Sequence, residues 1–291
     1  MGNDVVHESG IWAIGLLRGS SLDCLKRTAI ANPIVTASDF VKWNGQAVAD
    51  PFAIFRNGTW FLFFELFQEG SNHAVIGASR SDNLRDWEPL GIVLKQPHHL
   101  SYPFVFEHDG QVYMMPESKS VKRVDLFRAV EFPYRWEFEK TILRGRFMDC
   151  SMVQHGGRYW IFAGWRSYGL KLFHASSPLG PWKSHWLPCI RSYSRSSSRP
   201  GGRPVLQDNK LIRFSQDCTD YYGQQLRAWH VTRMNRLWYA EEPLYAEPIL
   251  SGSGQGWNAR CMHHIDAFRV PTLGSDSNVA NEWMAFVDGC A

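Results

Sequence analysis

Short apolar runs come in pairs along this chain, and each pair is joined by two residues that tolerate positive φ. The first pair is Ala49-Asp50-Pro51-Phe52-Ala53-Ile54-Phe55 and Thr59-Trp60-Phe61-Leu62-Phe63-Phe64-Glu65, on either side of Asn57-Gly58. The arrangement returns from Ser101 to Glu117 around Asp109-Gly110, and from Met152 to Phe162 around Gly156-Gly157. It returns again from Pro204 to Phe214 around Asp208-Asn209 and, more loosely, from Ile265 to Val287. Such dipeptides between β-rich runs are hairpin turns. The repeat is roughly 45–60 residues long, near the range for propeller blades.

Each of the first four hairpins is followed by a second pair of strand-like segments. After the first come Ala74–Ser79 and Gly91–Leu94; after the second, Val124–Ala129 and Thr141–Leu143. Leu170–Ala175 and Trp186–Pro188 follow the third, and Leu226–Val231 and Pro248–Leu250 the fourth. A tryptophan recurs in each unit (Trp87, Trp136, Trp182, Trp238), as expected of wedges packed between neighbouring blades. The fifth hairpin has no second half, because the chain ends soon after Val287. Near the N-terminus, Trp12–Leu17 and Asn32-Pro33-Ile34-Val35 are the missing strands, so we expect them to complete the last blade and cover its open edges. The expected fold is all-β: one five-bladed β-propeller spanning residues 1–291, with blades at roughly 46–97, 98–146, 147–191, 199–251 and 260–291 plus 10–38.

Composition narrows the function. Of the 291 residues 44% are hydrophobic and 20% charged, which are globular values, and the formal net charge of +3 is too small to mark a nucleic-acid surface. The segment from Arg191 to Arg199, rich in arginine and serine, reads as a mobile loop between repeats. The six cysteines lie far apart without a CxxC pair, which argues against a zinc ribbon and a dense disulfide framework. No charged-then-apolar leader opens the chain, and no apolar run approaches the ~18 residues of a membrane span, so a cytoplasmic location is expected.

Antiparallel pairing puts the start of a blade's first strand and the end of its second on the same rim. That rim receives Asp50, Asp149, Arg203, His264 and Asp266 from first strands, and Glu65, Glu117, Asp217 and Asp288 from second strands. Carboxylates crowded at a concave mouth repel one another, and a functional site is the natural reason to hold them there. Asp50, Glu117 and Asp149 are the expected catalytic groups, although Asp50 would also serve as a strand cap and Asp149 as an Asx turn. Gln216-Asp217 would bind hydroxyls. Gly201-Gly202-Arg203 brings a guanidinium suited to a carboxylate or phosphate, or to an internal salt bridge. In His263-His264-Ile265-Asp266, strand alternation puts His264 and Asp266 on one face. No cofactor is expected, apart from a hydrated cation that His264 could hold on the axis. Tyr102, Trp165, Tyr168 and Trp257 offer faces for stacking on sugar, or simple packing.

Five co-linear motifs tie the chain to a family. Ala49-Asp50-Pro51-Phe52, His99-Leu100-Ser101-Tyr102-Pro103, Met115-Pro116-Glu117-Ser118, Phe214-Ser215-Gln216-Asp217-Cys218 and Trp257-Asn258 with Met262-His263-His264-Ile265-Asp266-Ala267 together resemble the N-terminal domain of plant glucosamine inositolphosphorylceramide transferases, also found in bacteria alone or linked to a formyltransferase. More distantly the pattern is similar to the five-bladed furanosidase clan that includes glycoside hydrolase family 43. In that clan an aspartate at the start of the first blade is the general base, which the resemblance carries to Asp50, and a second aspartate corresponds to Asp149. Glu117 stands on a different strand from the clan's general acid.

These readings imply a carbohydrate-active enzyme acting on a sugar or glycoconjugate, with Asp50 as base and Glu117 as proton donor. Glycosyl transfer in glycolipid or surface-polysaccharide synthesis is the alternative; there a nucleotide-sugar donor would meet Arg203, His263 and His264. A non-catalytic sugar-binding propeller is the third reading, since fold does not fix function.

Overall fold

The computed structural model describes residues 11–27, 30–166, 168–192, 194–270 and 282–291. Five antiparallel sheets follow one another around an axis. The first blade runs Gly45–Arg56, Thr59–Gln68, Val75–Ser81, Glu88–Leu94, and the second Ser101–His108, Gln111–Glu117, Arg123–Glu131, Arg135–Arg144. In the third, Phe147–His155, Arg158–Trp165 and Gly169–Ala175 are flanked by the short pieces Lys183–Ser184 and Arg191–Ser192. The innermost strand of the fourth is split into Arg199–Pro200 and Val205–Gln207, both paired with Lys210–Asp217; Gln225–Met234 and the pieces Tyr239–Pro243 and Leu250–Ser251 complete it. Within the described residues the hairpin tips fall where the sequence puts them, with Asn57, Asp109 and Asp208 all at positive φ.

The fifth blade is closed by the N-terminus. Trp12–Gly19 pairs along its length with Trp283–Cys290, which in turn pairs with Ile265–Arg269. The fourth position differs from expectation: Lys26–Arg27 forms the short outer strand, and Val35 adds only a single bridge, to Ile14. Asn32 explains the departure. Its side chain accepts from the Leu16 N–H at 2.8 Å and donates to the Leu16 carbonyl at 2.9 Å, replacing one ladder step with an amide group. The part of the fifth repeat between 271 and 281 lies outside the described residues.

The apolar cores sit between blades. Ile14, Leu16 and Phe286 of the last blade pack with Val48, Trp60 and Phe64 of the first. Phe162 and Leu172 of the third blade meet Leu211 and Val231 of the fourth. Three of the expected wedges are in place: Trp87 meets Phe286 edge-on at 5.7 Å, Trp136 meets Phe63 at 5.5 Å, and Trp182 packs on the core shared by the first three blades. Trp238 is the exception, being 55% exposed, and Tyr239 takes its place against Phe162. The arginine-serine segment is likewise not a free loop. Ser197 and Ser198 are buried, Ser198 Oγ donates to the Tyr168 carbonyl, and Arg191 pairs with Glu241 at 2.8 Å. A disulfide joins Cys261 to Cys290 across the last blade. No helix among the described residues is long and apolar enough to cross a membrane.

Because the N-terminal strand pairs along the whole of Trp283–Cys290, removing residues 1–19 leaves that strand's outer edge without its ladder. We expect the truncated protein to lose its cooperative thermal transition and to aggregate; a monomeric truncation that melts like the full chain would show that the closure is dispensable.

Candidate functional site

Three of the blades begin in the same way. Asp50, Tyr102 and Asp149 have φ of 54°, 46° and 49°, and each falls where the register of the inner hairpin slips: between Ala49 and Phe52, Ser101 and Phe104, Met148 and Ser151. A bulge with one left-handed residue re-aims its side chain and leaves a backbone N–H outside the ladder. In the fourth blade the equivalent turn is Gly202, at φ +144°, where a Cβ would lie 1.8 Å from the Ile265 carbonyl oxygen. Only glycine permits the close pass that joins this blade's start to the next.

The freed N–H groups are caught by carboxylates on the second strands of preceding blades. Asp50 N–H donates to Asp288 Oδ2 at 3.0 Å, and Asp149 N–H donates to Glu117 Oε2 at 3.0 Å. Asp288 Oδ1 also accepts from the N–H groups of His263 and His264 and pairs with His263 Nδ1 at 2.8 Å. Glu65 meets His99 Nε2 at 3.1 Å. Asp149 is held by Arg199, whose Nε donates to Oδ2, and by Gln216 Nε2 at 3.0 Å. Arg199 in turn lies over the Tyr222 ring, 4.9 Å from its centroid.

Electrostatics separates the three central acids. Burial pushes the Asp50 carboxyl well above the usual carboxylate range, and the charges of Glu65, Asp149 and Asp288 push it further, so it favours its protonated form. Burial followed by the charge of Asp149 raises Glu117 to about 7. Burial also opposes ionisation of Asp149, but the charge and hydrogen bond of Arg199 outweigh it and hold the carboxyl below its ordinary value. Asp288 is held low in the same way, by His263. His264 is driven down to about 4 by burial; its Nε2 bonds the Pro51 carbonyl at 2.9 Å, and its Nδ1, buried without a hydrogen-bond partner, lies 3.7 Å from Asp50 Oδ1.

Asp50, Glu117 and Asp149 are gathered in one basin through Asp149, which bonds Glu117 and whose charge shifts both of the other carboxyls. Several expected substrate contacts do not reach it. Arg203 is locked on a neighbouring carboxylate, with its Nε 2.7 Å from Asp266 Oδ1 and its guanidinium over Phe104, while Asp266 also accepts the Ala53 N–H. That pair is an internal strut. Asp217 turns from the mouth to Thr219, Gln225 and Arg227. Tyr102 is fully buried, its hydroxyl 2.6 Å from Ser151 Oγ and its ring edge-on to His264, so it offers no stacking face. Gln216 is also fully buried and orients Asp149 rather than a hydroxyl of a ligand. Trp257 lies over Gly15 and Gly289 of the last blade, where side chains would collide with its ring, and so packs instead of stacking on sugar. His263 and His264 are buried behind Asp50. Arg199 and Tyr222, which shape the basin, carry no motif; the one available signal was an arginine three residues before Gly202.

A cation could be held here by Asp50, His263 and Asp288, whose ligand atoms lie within 4.8 Å of one another. His263 is poorly free for it, because Nδ1 engages Asp288 and Nε2 engages the Tyr222 hydroxyl at 3.1 Å. A metal would have to displace one of those bonds.

An all-β ring of five sheets with acids gathered at one mouth defines the class: a five-bladed propeller of the kind seen in glycoside hydrolases. It superposes on a thermostable family-43 glycoside hydrolase with a TM-score of 0.60 and 14% identity, covering 84% of this chain and 93% of that one. The α-L-arabinofuranosidase of Podospora anserina gives 0.56 and 13%, over 84% and 91%. At such identities the likeness shows the fold. The family follows from sequence: residues 6–290 match the model of the N-terminal region of glucosamine inositolphosphorylceramide transferase 1, and the chain belongs to that family. The Arabidopsis thaliana protein of that name is 35% identical over 306 residues, which is 96% of this chain and 39% of the relative. The chain therefore spans about two fifths of the relative's length.

The raised pKa of Glu117 has a consequence for stability. A carboxyl with a folded pKa of about 7 and a free value of 4.5 binds more protons folded than unfolded, so it destabilises increasingly as pH rises through that window. Glu117→Gln removes this penalty. We expect the variant's stability relative to the native protein to grow between pH 4.5 and 7, by at most about 3 kcal/mol, in denaturant titrations across that range. A difference independent of pH would mean that Glu117 is not perturbed.

Proposed function

We propose that this domain processes a glycosyl group of a sugar or glycoconjugate, with its acid–base chemistry at the propeller mouth. The observation that carries the reading is the divergence of neighbouring buried carboxyls: Glu117 near 7, Asp149 held ionised by Arg199. Pairs of acids whose surroundings push their pKa values apart are how one site supplies a proton donor and a charged partner at neutral pH. Glu117 is the proton donor. Asp149 keeps its charge, stabilises positive charge developing at the anomeric carbon, and holds Glu117 protonated. Asp50, which favours its protonated form, acts as a base only after giving up that proton; the bare Nδ1 of His264 lies 3.7 Å from its carboxyl. This refines the base role expected from the sequence. It also explains why Asp50 is gripped through its backbone by Asp288.

Hydrolysis and transfer use the same acids and differ in the acceptor. The family name favours transfer in glycolipid synthesis, with an activated sugar as donor. The cytoplasmic location expected from the sequence is the part of the proposal that the Cys261–Cys290 disulfide weighs against, because such bonds persist in oxidising compartments.

The test is turnover of a panel of aryl glycosides and nucleotide sugars by the purified domain. Glu117→Gln and Asp149→Asn should each lower kcat by roughly 10²–10⁴-fold while the fold is retained. The native rate should fall as pH rises through about 7, where Glu117 loses its proton. Release of sugar without a nucleotide-sugar donor identifies a hydrolase. Activity indifferent to both substitutions would remove the acids from the mechanism, and no turnover of any of these substrates would leave a binding module.

A further inference from the structure

Beside Asp149, where the third blade meets the fourth, a cleft of about 230 Å³ opens to solvent. Its walls carry Arg166, Arg195 and Arg199 together with Tyr168, Tyr222 and Ser194. Among the described residues a single carboxylate, Asp149, lies within ion-pairing distance of these three guanidinium groups, and it engages Arg199, with Glu117 and Asp50 farther off. Among the described residues neither Arg166 nor Arg195 has a carboxylate within ion-pairing distance. Both are exposed, yet neither guanidinium is simply loose in water. Arg166 lies over the Trp165 ring at 4.3 Å, and Arg195 lies over Tyr168 at 5.1 Å while its Nε donates to the Cys218 carbonyl at 2.8 Å. Arg166 is moreover held at a φ of 54°.

Like charges gathered in a concave site repel, and stacking on aromatic rings fixes the planes of the forks before any ligand arrives. A planar guanidinium so fixed matches an oxyanion with two parallel hydrogen bonds. We propose that this cleft is a subsite for a phosphoryl group on the glycosylated substrate, which sets the sugar against Asp149 and Glu117. The proposal rests on the reading above for the sugar end only. The phosphoryl chemistry is shared by the diphosphate of a nucleotide-sugar donor and the phosphodiester of a glycosylated lipid headgroup.

Calorimetric titration of the native protein with UDP-glucose, glycerophosphoinositol and methyl β-glucoside tests it. At least one phosphorylated probe should bind, more weakly as salt is raised, and Arg166→Ala/Arg195→Ala should weaken it by about tenfold or more. Binding of the neutral glucoside should not respond to that double variant. Selective binding of UDP-glucose assigns the cleft to a donor, and of glycerophosphoinositol to a headgroup. Both side chains are exposed, so the double variant should melt with the native protein; Arg166→Lys/Arg195→Lys, which keeps the charge, should recover part of the affinity. Failure of both phosphorylated probes to bind, or unchanged affinity in the double alanine variant, overturns the subsite. Glu117→Gln separates the two proposals: it should abolish turnover and leave phosphoryl binding intact, whereas an inactive native protein that still binds the probe would defeat the acids alone.

Discussion

A buried carboxylate that accepts a backbone N–H from the neighbouring blade is the contact on which the site depends. The bulges at Asp50 and Asp149 each free a buried amide from the ladder, and a buried donor without a partner is costly. Asp288 answers Asp50, and Glu117 answers Asp149. The same bonds fix how neighbouring blades sit on the axis and hold acids from distant parts of the chain in one basin. Structure and chemistry here share atoms, so neither acid can be replaced without disturbing the other's surroundings.

The charge balance of the basin follows from who supplies the cations. Arg199 pairs with Asp149, and Asp288 accepts hydrogen bonds from His263 and from the Asp50 N–H, and both carboxyls are held ionised. Asp50 and Glu117 are raised first by burial and then by negative neighbours, which Arg199 and, for Glu117, Lys119 at 3.7 Å offset only in part. Arg203 pairs instead with Asp266, its guanidinium lying over the rings of Phe52, Phe104 and Phe268. The acids of the mouth thus lie beside a cleft whose walls are basic.

Much of the fold was legible because hairpins announce themselves locally. Asn57-Gly58 and Asp109-Gly110 need only their own backbone preferences to turn the chain, and the strands they join alternate or run apolar according to which faces they bury. The closure by Trp12–Gly19 was legible as arithmetic, since one blade lacked strands that the N-terminus carried. The last strand was harder to read: Asn32 looks like any polar residue, and only its side-chain bonds to Leu16 show why the ladder breaks there. Trp238 repeats the pattern of the wedges, but Tyr239 next to it is the one turned inward.

The chain by itself determined which residues would arrive at the rim, because strand order and antiparallel pairing are properties of local pattern and count. It could not determine which of them face the basin, since a side chain's partner across the axis is a matter of inter-blade geometry. Arg203 and Asp217 reach the rim and are spent elsewhere, on Asp266 and Arg227. Arg199, in a stretch that looks like loop, reaches Asp149 because Arg199-Pro200 pairs with Gln216 and Ser215. Pairing between residues far apart in the chain, and the desolvation that comes with it, exists only once the ring has closed.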